Sequence, residues 1–202
     1  MSTAAAVTDH HLVEPAESPL TPESWGKLGM WTFLAADAMT FGALLAGYGA
    51  LRFGDPNWPR PSSILGIPLT ALMTFLLICS SVTMVEALAG VRQGNRKKFR
   101  NFLFLTILGG ALFLSLQAFE WTHLIEHGQS IRKNNFGATF FILTGFHGMH
   151  VFSGVVYLSI ILLFGLRGRF TPENNSEVEI AGLYWHFVDL VWILVFTFVY
   201  LI

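Results

Sequence analysis

Residues 134–166 read NNFGATFFILTGFHGMHVFSGVVYLSIILLFGL, and none of them is Asp, Glu, Lys or Arg. A bilayer core of about 30 Å is crossed by roughly 20 apolar helical residues. The run Phe136–Leu166 is therefore long enough to span it. Barrel strands are about ten residues long and alternate in polarity, and this stretch does neither. With no water at that depth, the backbone must bond to itself, which predicts a helix.

Four more segments qualify on either side: Leu28–Leu51, Ile64–Val91, Asn101–Ile125 and Ile180–Ile202. The first and last each carry one acid, Asp37 and Asp189, in otherwise apolar surroundings. The expected fold is all-α, a polytopic membrane protein of five transmembrane helices within residues 24–202. Residues 1–23 read as a polar tail, whose His10-His11 pair is expected to be solvated. No basic stretch followed by an apolar one suggests a signal peptide there.

Composition agrees. Of 202 residues, 53% are apolar, 14% aromatic and 12% charged, against about 25% charged in an ordinary soluble domain. This excludes a disordered chain, a basic nucleic-acid binder and a disulfide-built module. The net charge of −1 recruits no polyanion, and the single Cys79 forms no intrachain disulfide.

The connections are short: a Pro-rich loop from Gly54 to Pro61, a basic one from Gln93 to Arg100, and polar ones at 127–135 and 167–177. Lys27, Arg92, Arg96, Lys97, Lys98, Arg100, Arg167 and Arg169 fall on one side, against Arg52, Arg60, Arg132 and Lys133 on the other. The excess of cations marks the cytoplasmic side. The N-terminus is then expected inside and the C-terminus outside.

An acid at the bilayer centre costs about 2.5–3.5 kcal/mol on insertion scales. Asp37, Glu120, His147, His150, His186 and Asp189 should therefore face protein or water. His147 and His150 share a helix face at i, i+3, as do His186 and Asp189. Gln117 lies one turn before Glu120, and Glu86 is near enough to its helix end to snorkel. Three readings stand: intramembrane histidines that ligate haem iron or copper, a proton route, or a buried polar network that locks helices together. Ala38, Gly42, Ala46 and Ala50 recur every four residues and predict a smooth face for close helix approach. Gly145, Gly148 and Gly154 suggest the same around the histidine pair. Trp31, Trp58, Trp121 and Trp185 suit interfacial anchoring, and Trp192 suits packing.

Three strings are more specific. Phe140-Phe141-Ile142-Leu143-Thr144-Gly145-Phe146-His147-Gly148-Met149-His150-Val151 resembles the central motif of subunit III of haem-copper oxidases. Tyr184-Trp185-His186-Phe187-Val188-Asp189-Leu190-Val191-Trp192 resembles its last-helix motif, and Gln117-Ala118-Phe119-Glu120-Trp121 its Gln-Ala-x-Glu-aromatic string. They occur in family order across about residues 25–202. The resemblance implies a non-catalytic accessory subunit of the five-helix bacterial form, in the cytoplasmic membrane. Such a chain binds no haem or copper itself. It flanks subunit I, which holds both, reduces oxygen and pumps protons. It stabilises that subunit, supports proton uptake and holds phospholipid in a cleft of a V-shaped bundle, between helices one and two and the other three. Arg167 and Arg169 are the lipid-phosphate candidates.

The family includes cytochrome c oxidases, the favoured reading, and ubiquinol oxidases. Nitric-oxide-reductase-associated proteins share the fold. Many cytochrome c oxidase members carry Glu where this chain has Asp37, whereas ubiquinol-oxidase members with Asp also resemble it. A small membrane protein holding a b-type haem between His147 or His150 and His186 is the reading from a different class. The resemblance favours the buried network over the metal site.

Overall fold

A computed structural model describes residues 25–60 and 65–202. The tail at 1–23, with His10 and His11, and the expected helix start at Ile64 lie outside these residues. Five helices are long and apolar enough to cross a membrane, and the described residues form no strand. They are α1 (Trp25–Gly54), α2 (Ile67–Arg92), α3 (Arg96–Glu126), α4 (Asn135–Leu166) and α5 (Ser176–Val195), the last running on into a π-helical segment, Phe196–Leu201. The chain is a multi-pass membrane protein.

Local chemistry explains the ends. Gly94, Gly128 and Gly168 have φ of 67°, 76° and 79°, a left-handed conformation that glycine adopts at little cost. Each closes a helix with the paired bonds of a Schellman motif. After α2 these run from the N–H of Asn95 to the Gly90 carbonyl at 2.8 Å and from Gly94 to Val91 at 2.9 Å. Asn95 then caps α3 by accepting the Lys98 N–H at 3.0 Å. One asparagine thus ends a reversal and starts the next helix. This is why the basic residues Arg96–Arg100, expected in a connection, form the first turns of α3. Asn134 caps α4 through the Gly137 N–H at 2.7 Å. Glu177 and Glu179 sit in the first turn of α5, where acids complement the helix dipole.

The tight reversal sets α2 along α3, its most extensive neighbour, and α5 packs on α1, α2 and α4. The main partners of α1 are α5 and α4. Helices one and two are therefore not a unit set apart from the other three. α2 belongs with α3, because only three residues, Gln93, Gly94 and Asn95, join them.

Lipid tails are as apolar as leucine, so helices associate here by close fit and polar bonds rather than by a hydrophobic force. The fit centres on Trp185 and Trp192 of α5, both wholly buried. A Cβ on Gly110 would lie 2.5 Å from the Trp185 ring, and one on Gly154 2.9 Å from it. Trp185 was expected at an interface; it sits in the core because these two glycines vacate space for it. Its Nε1–H donates to Ser80 at 3.1 Å, and that of Trp192 to Thr74 at 2.9 Å. The stripe Ala38, Gly42, Ala46 and Ala50 is exposed instead. A Cβ on Gly42 would meet nothing within 4 Å. The face α1 buries carries Leu34, Asp37, Phe41 and Tyr48. The larger side chains turn inward because they fill the seam with α4 and α5, so this stripe does not pack helices within the chain.

Candidate functional site

The six polar residues singled out within the spans do not share one hydrogen-bonded network. They fall into separate groups, three of which join helices: Asp37 with His150, Glu120 with Thr70 and Tyr200, and His186 with Ser81.

Asp37 on α1 is buried, and its Oδ1 lies 3.3 Å from Nε2 of His150 on α4. His150 Nδ1 is 2.8 Å from the Phe146 carbonyl one turn earlier. This bond fixes the ring and directs Nε2 toward α1. Phe41 and Phe146 flank the pair, with centroids 5.2 and 4.7 Å from the imidazole. Tyr184 of α5 braces the same turn of α4, its hydroxyl 2.6 Å from Ser153 Oγ and donating to the His150 carbonyl at 3.2 Å. The other carboxylate oxygen of Asp37 is buried without a hydrogen-bond partner.

Glu120 on α3 is the second centre. Its Oε1 accepts from the Thr70 hydroxyl on α2 and its Oε2 from the Tyr200 hydroxyl, both at 3.0 Å. Tyr200 comes from the π-helical segment, whose wider turn re-aims a side chain. Gln117, one turn earlier, donates to the Thr144 carbonyl of α4 at 2.8 Å.

The third is on α5, where His186 Nδ1 and Ser81 Oγ of α2 are 2.5 Å apart. Asp189, one turn on, is buried with both oxygens lacking a hydrogen bond of ordinary geometry, although Ser81 lies nearby. His147 is wholly buried. It stacks on Trp192 at 4.9 Å and meets the Phe113 ring edge-on at 5.7 Å. Neither ring nitrogen has a partner.

This arrangement bears on the haem and metal reading. His150 is turned toward α1, His186 toward α2, and His147 is wedged between aromatic rings. Among the described residues no three of His, Cys, Asp and Glu converge as metal ligands would. What the geometry offers is one acid–base pair able to hold a proton between α1 and α4, and a doubly bonded glutamate.

At the opposite end from Tyr200, charges pair off. Glu179 of α5 meets Lys27 of α1 at 3.1 Å and Arg92 of α2 at 3.2 Å, and Glu86 meets Lys98 at 2.7 Å. Arg169 bonds Glu177 at 2.6 Å and lies over the Phe164 ring at 4.9 Å. Arg167 is exposed, with no side-chain partner among the described residues. Thr70, Ser81 and Tyr200 carry no signal in the sequence that marks them as partners, and Tyr184 appears there only as the first residue of the last-helix motif. Hydroxyls in membrane helices commonly bond their own helix's carbonyls, as Thr74 does, so spacing alone does not mark the few that cross.

The family model for cytochrome c oxidase subunit III matches residues 26–202. The chain is similar to cytochrome c oxidase subunit 3 of Corynebacterium diphtheriae, 38% identical over 178 residues that cover 87% of each chain. It is also similar to quinol oxidase subunit 3 of Bacillus subtilis, 36% identical over 174 residues, 86% of this chain and 85% of that one. The probable cytochrome c oxidase subunit 3 of Nocardia farcinica is 32% identical over 203 residues, the full length of both. The resemblance carried by the three motifs thus agrees with matches that run across nearly the whole membrane domain. Five spans and matches of this coverage together make the chain a member of the cytochrome c oxidase subunit III family.

Proposed function

We propose that this chain is the accessory, non-catalytic subunit III of a terminal oxidase that takes electrons from cytochrome c. It holds the haem- and copper-bearing subunit I in its working form and assists proton uptake. It lies in the bacterial cytoplasmic membrane with its N-terminus inside and its C-terminus outside, as the larger cation count at the Lys27 end favours. Phospholipid bound to the chain is part of this reading, with Arg167 the available cation on the cytoplasmic side.

The observation that carries the proposal is the Asp37–His150 pair at 3.3 Å. A buried carboxylate facing an imidazole between two helices can take up and release one proton without leaving the bundle, which suits a chain that assists proton entry.

The Bacillus subtilis relative is named quinol oxidase subunit 3, so a quinol donor is the second reading. A mild-detergent pull-down of the tagged chain tests both. A reduced-minus-oxidised spectrum should show haem in the eluate. That haem should leave with a larger partner when the subunits are separated, and this chain should be colourless. Oxygen consumption by the same eluate should respond to reduced cytochrome c. A response to quinol alone would move the assignment to the second reading, and haem retained by this chain would overturn both.

A further inference from the structure

We propose that His123 and His127, where α3 finishes, form a two-histidine chelate for a divalent transition-metal ion such as Zn²⁺. The site is at the end of the bundle away from Lys98 and does not depend on the electron donor.

Helix geometry puts the pair together. His123 is in the last turn of α3 and His127 caps it, so they stand at i and i+4 on one face. Two histidines at this spacing on a helix are a metal-binding arrangement. Their ring centroids are 4.2 Å apart, with planes 31° from parallel. Two nitrogens held by one zinc, each at about 2.0–2.1 Å, stand about 3.4 Å from one another. Rings this close bring a nitrogen of each within reach of a single ion, and both residues are exposed, so the rings can turn to it.

A second observation fixes which nitrogen is presented. His127 donates twice to the His123 carbonyl, through its backbone N–H at 3.1 Å and through Nδ1 at 2.8 Å. A carbonyl only accepts, so Nδ1 carries the hydrogen, and Nε2 of the neutral ring carries the lone pair. Metal-bound histidines are oriented in this way, by giving the other ring N–H to a carbonyl or carboxylate. The turn beneath is anchored as well. Gly128, at φ 76°, donates to the Ile125 carbonyl and Gln129 to that of Leu124, both at 2.9 Å, and Leu124 is buried. The 31 residues of α3 rise about 46 Å against a core of about 30 Å. Its last turn therefore stands beyond the hydrocarbon, where metal ions are dissolved. Glu126, exposed in the same turn, offsets the charge of Lys133, whose amine would lie 3.9 Å from a Cβ on Gly128. Among the described residues no third His, Cys, Asp or Glu converges on the pair, so water completes the coordination and the ion exchanges freely.

The test uses the intact, detergent-solubilised oxidase complex, titrated with zinc chloride and treated with diethyl pyrocarbonate. Modification of each histidine is read by peptide mass spectrometry. Without zinc, both residues should react. With zinc, both should be protected along one curve, and Mg²⁺ at the same concentrations should protect neither, since it takes oxygen ligands. His123→Gln and His127→Gln each leave one ligand. The histidine that remains should need at least about tenfold more zinc for half-protection. Both positions are exposed, so the variants should assemble. Native mass spectrometry should count one zinc more on wild type than on the variant carrying both substitutions. Unchanged half-protection in the single variants would show two independent rings and overturn the proposal. Equal zinc counts would do the same, and so would failure of the pair to react without zinc, which would mean that another subunit covers it.

Discussion

His150 Nε2 and Asp37 Oδ1 stand 3.3 Å apart on different helices, and theirs is the one described ion pair that joins two helices in mid-span. The other pairs lie at the ends of the bundle. Because α1 buries only a narrow face, this contact is a large part of what orients it against α4.

Replacing His150 with Leu should destabilise the subunit by about 2–3 kcal/mol, since it leaves a buried carboxylate without its partner. Asp37→Asn should cost about 1 kcal/mol, because an amide can still bond the imidazole. A double-mutant cycle on thermal unfolding of the purified complex checks this. Strictly additive losses would mean the two residues do not communicate.

Gly110 and Gly42 should respond in opposite ways to the same substitution. A Cβ at Gly110 collides with Trp185 at 2.5 Å, whereas at Gly42 it meets open space. Gly110→Ala should lower stability by about 2–3 kcal/mol by overpacking the core. Gly42→Ala should be neutral or raise stability by up to about 1 kcal/mol from helix propensity. Thermal unfolding of both variants decides. If Gly42→Leu released the chain from the complex without unfolding it, the exposed stripe would be identified as a face covered by another subunit.

Tyr200→Phe should unpin the π-helical end. It removes the hydroxyl that bonds Glu120 Oε2 at 3.0 Å and leaves that oxygen buried. The expected loss is about 1–3 kcal/mol, with faster hydrogen exchange in residues 196–201 than in α4. Uniform exchange across the bundle would show that Glu120 does not hold this segment.

His147→Leu should leave stability within about 1 kcal/mol of wild type. The imidazole makes no hydrogen bond, and exchanging an unpaired polar ring for an apolar group of similar reach is close to neutral. Should turnover fall while unfolding stays unchanged, His147 would have a part in function beyond packing.

Glu179→Gln should weaken the tie between α1, α2 and α5 by less than about 1 kcal/mol, because both of its cation partners are partly solvated. The difference from wild type should shrink further in high salt. Unfolding curves at low and high ionic strength make the comparison.

The five spans, their helical nature and the family motifs were legible in the residues themselves. Length, apolarity and the demand for internal backbone bonds act locally along each segment. So were the acids and histidines that could not sit in open lipid, because the cost of burying them belongs to each residue alone. Which of them meet was decided only by the bundle. Asp37 chose His150, Glu120 chose Thr70 and Tyr200, and His186 chose Ser81. Those choices depend on the rotation of each helix, which two glycines beneath Trp185 and the reversal at Gly94-Asn95 set. The same rotation turned the small-residue stripe of α1 outward. A helix of nearly uniform apolarity carries no periodic signal to say which side faces lipid, so only contact with its neighbours can fix it.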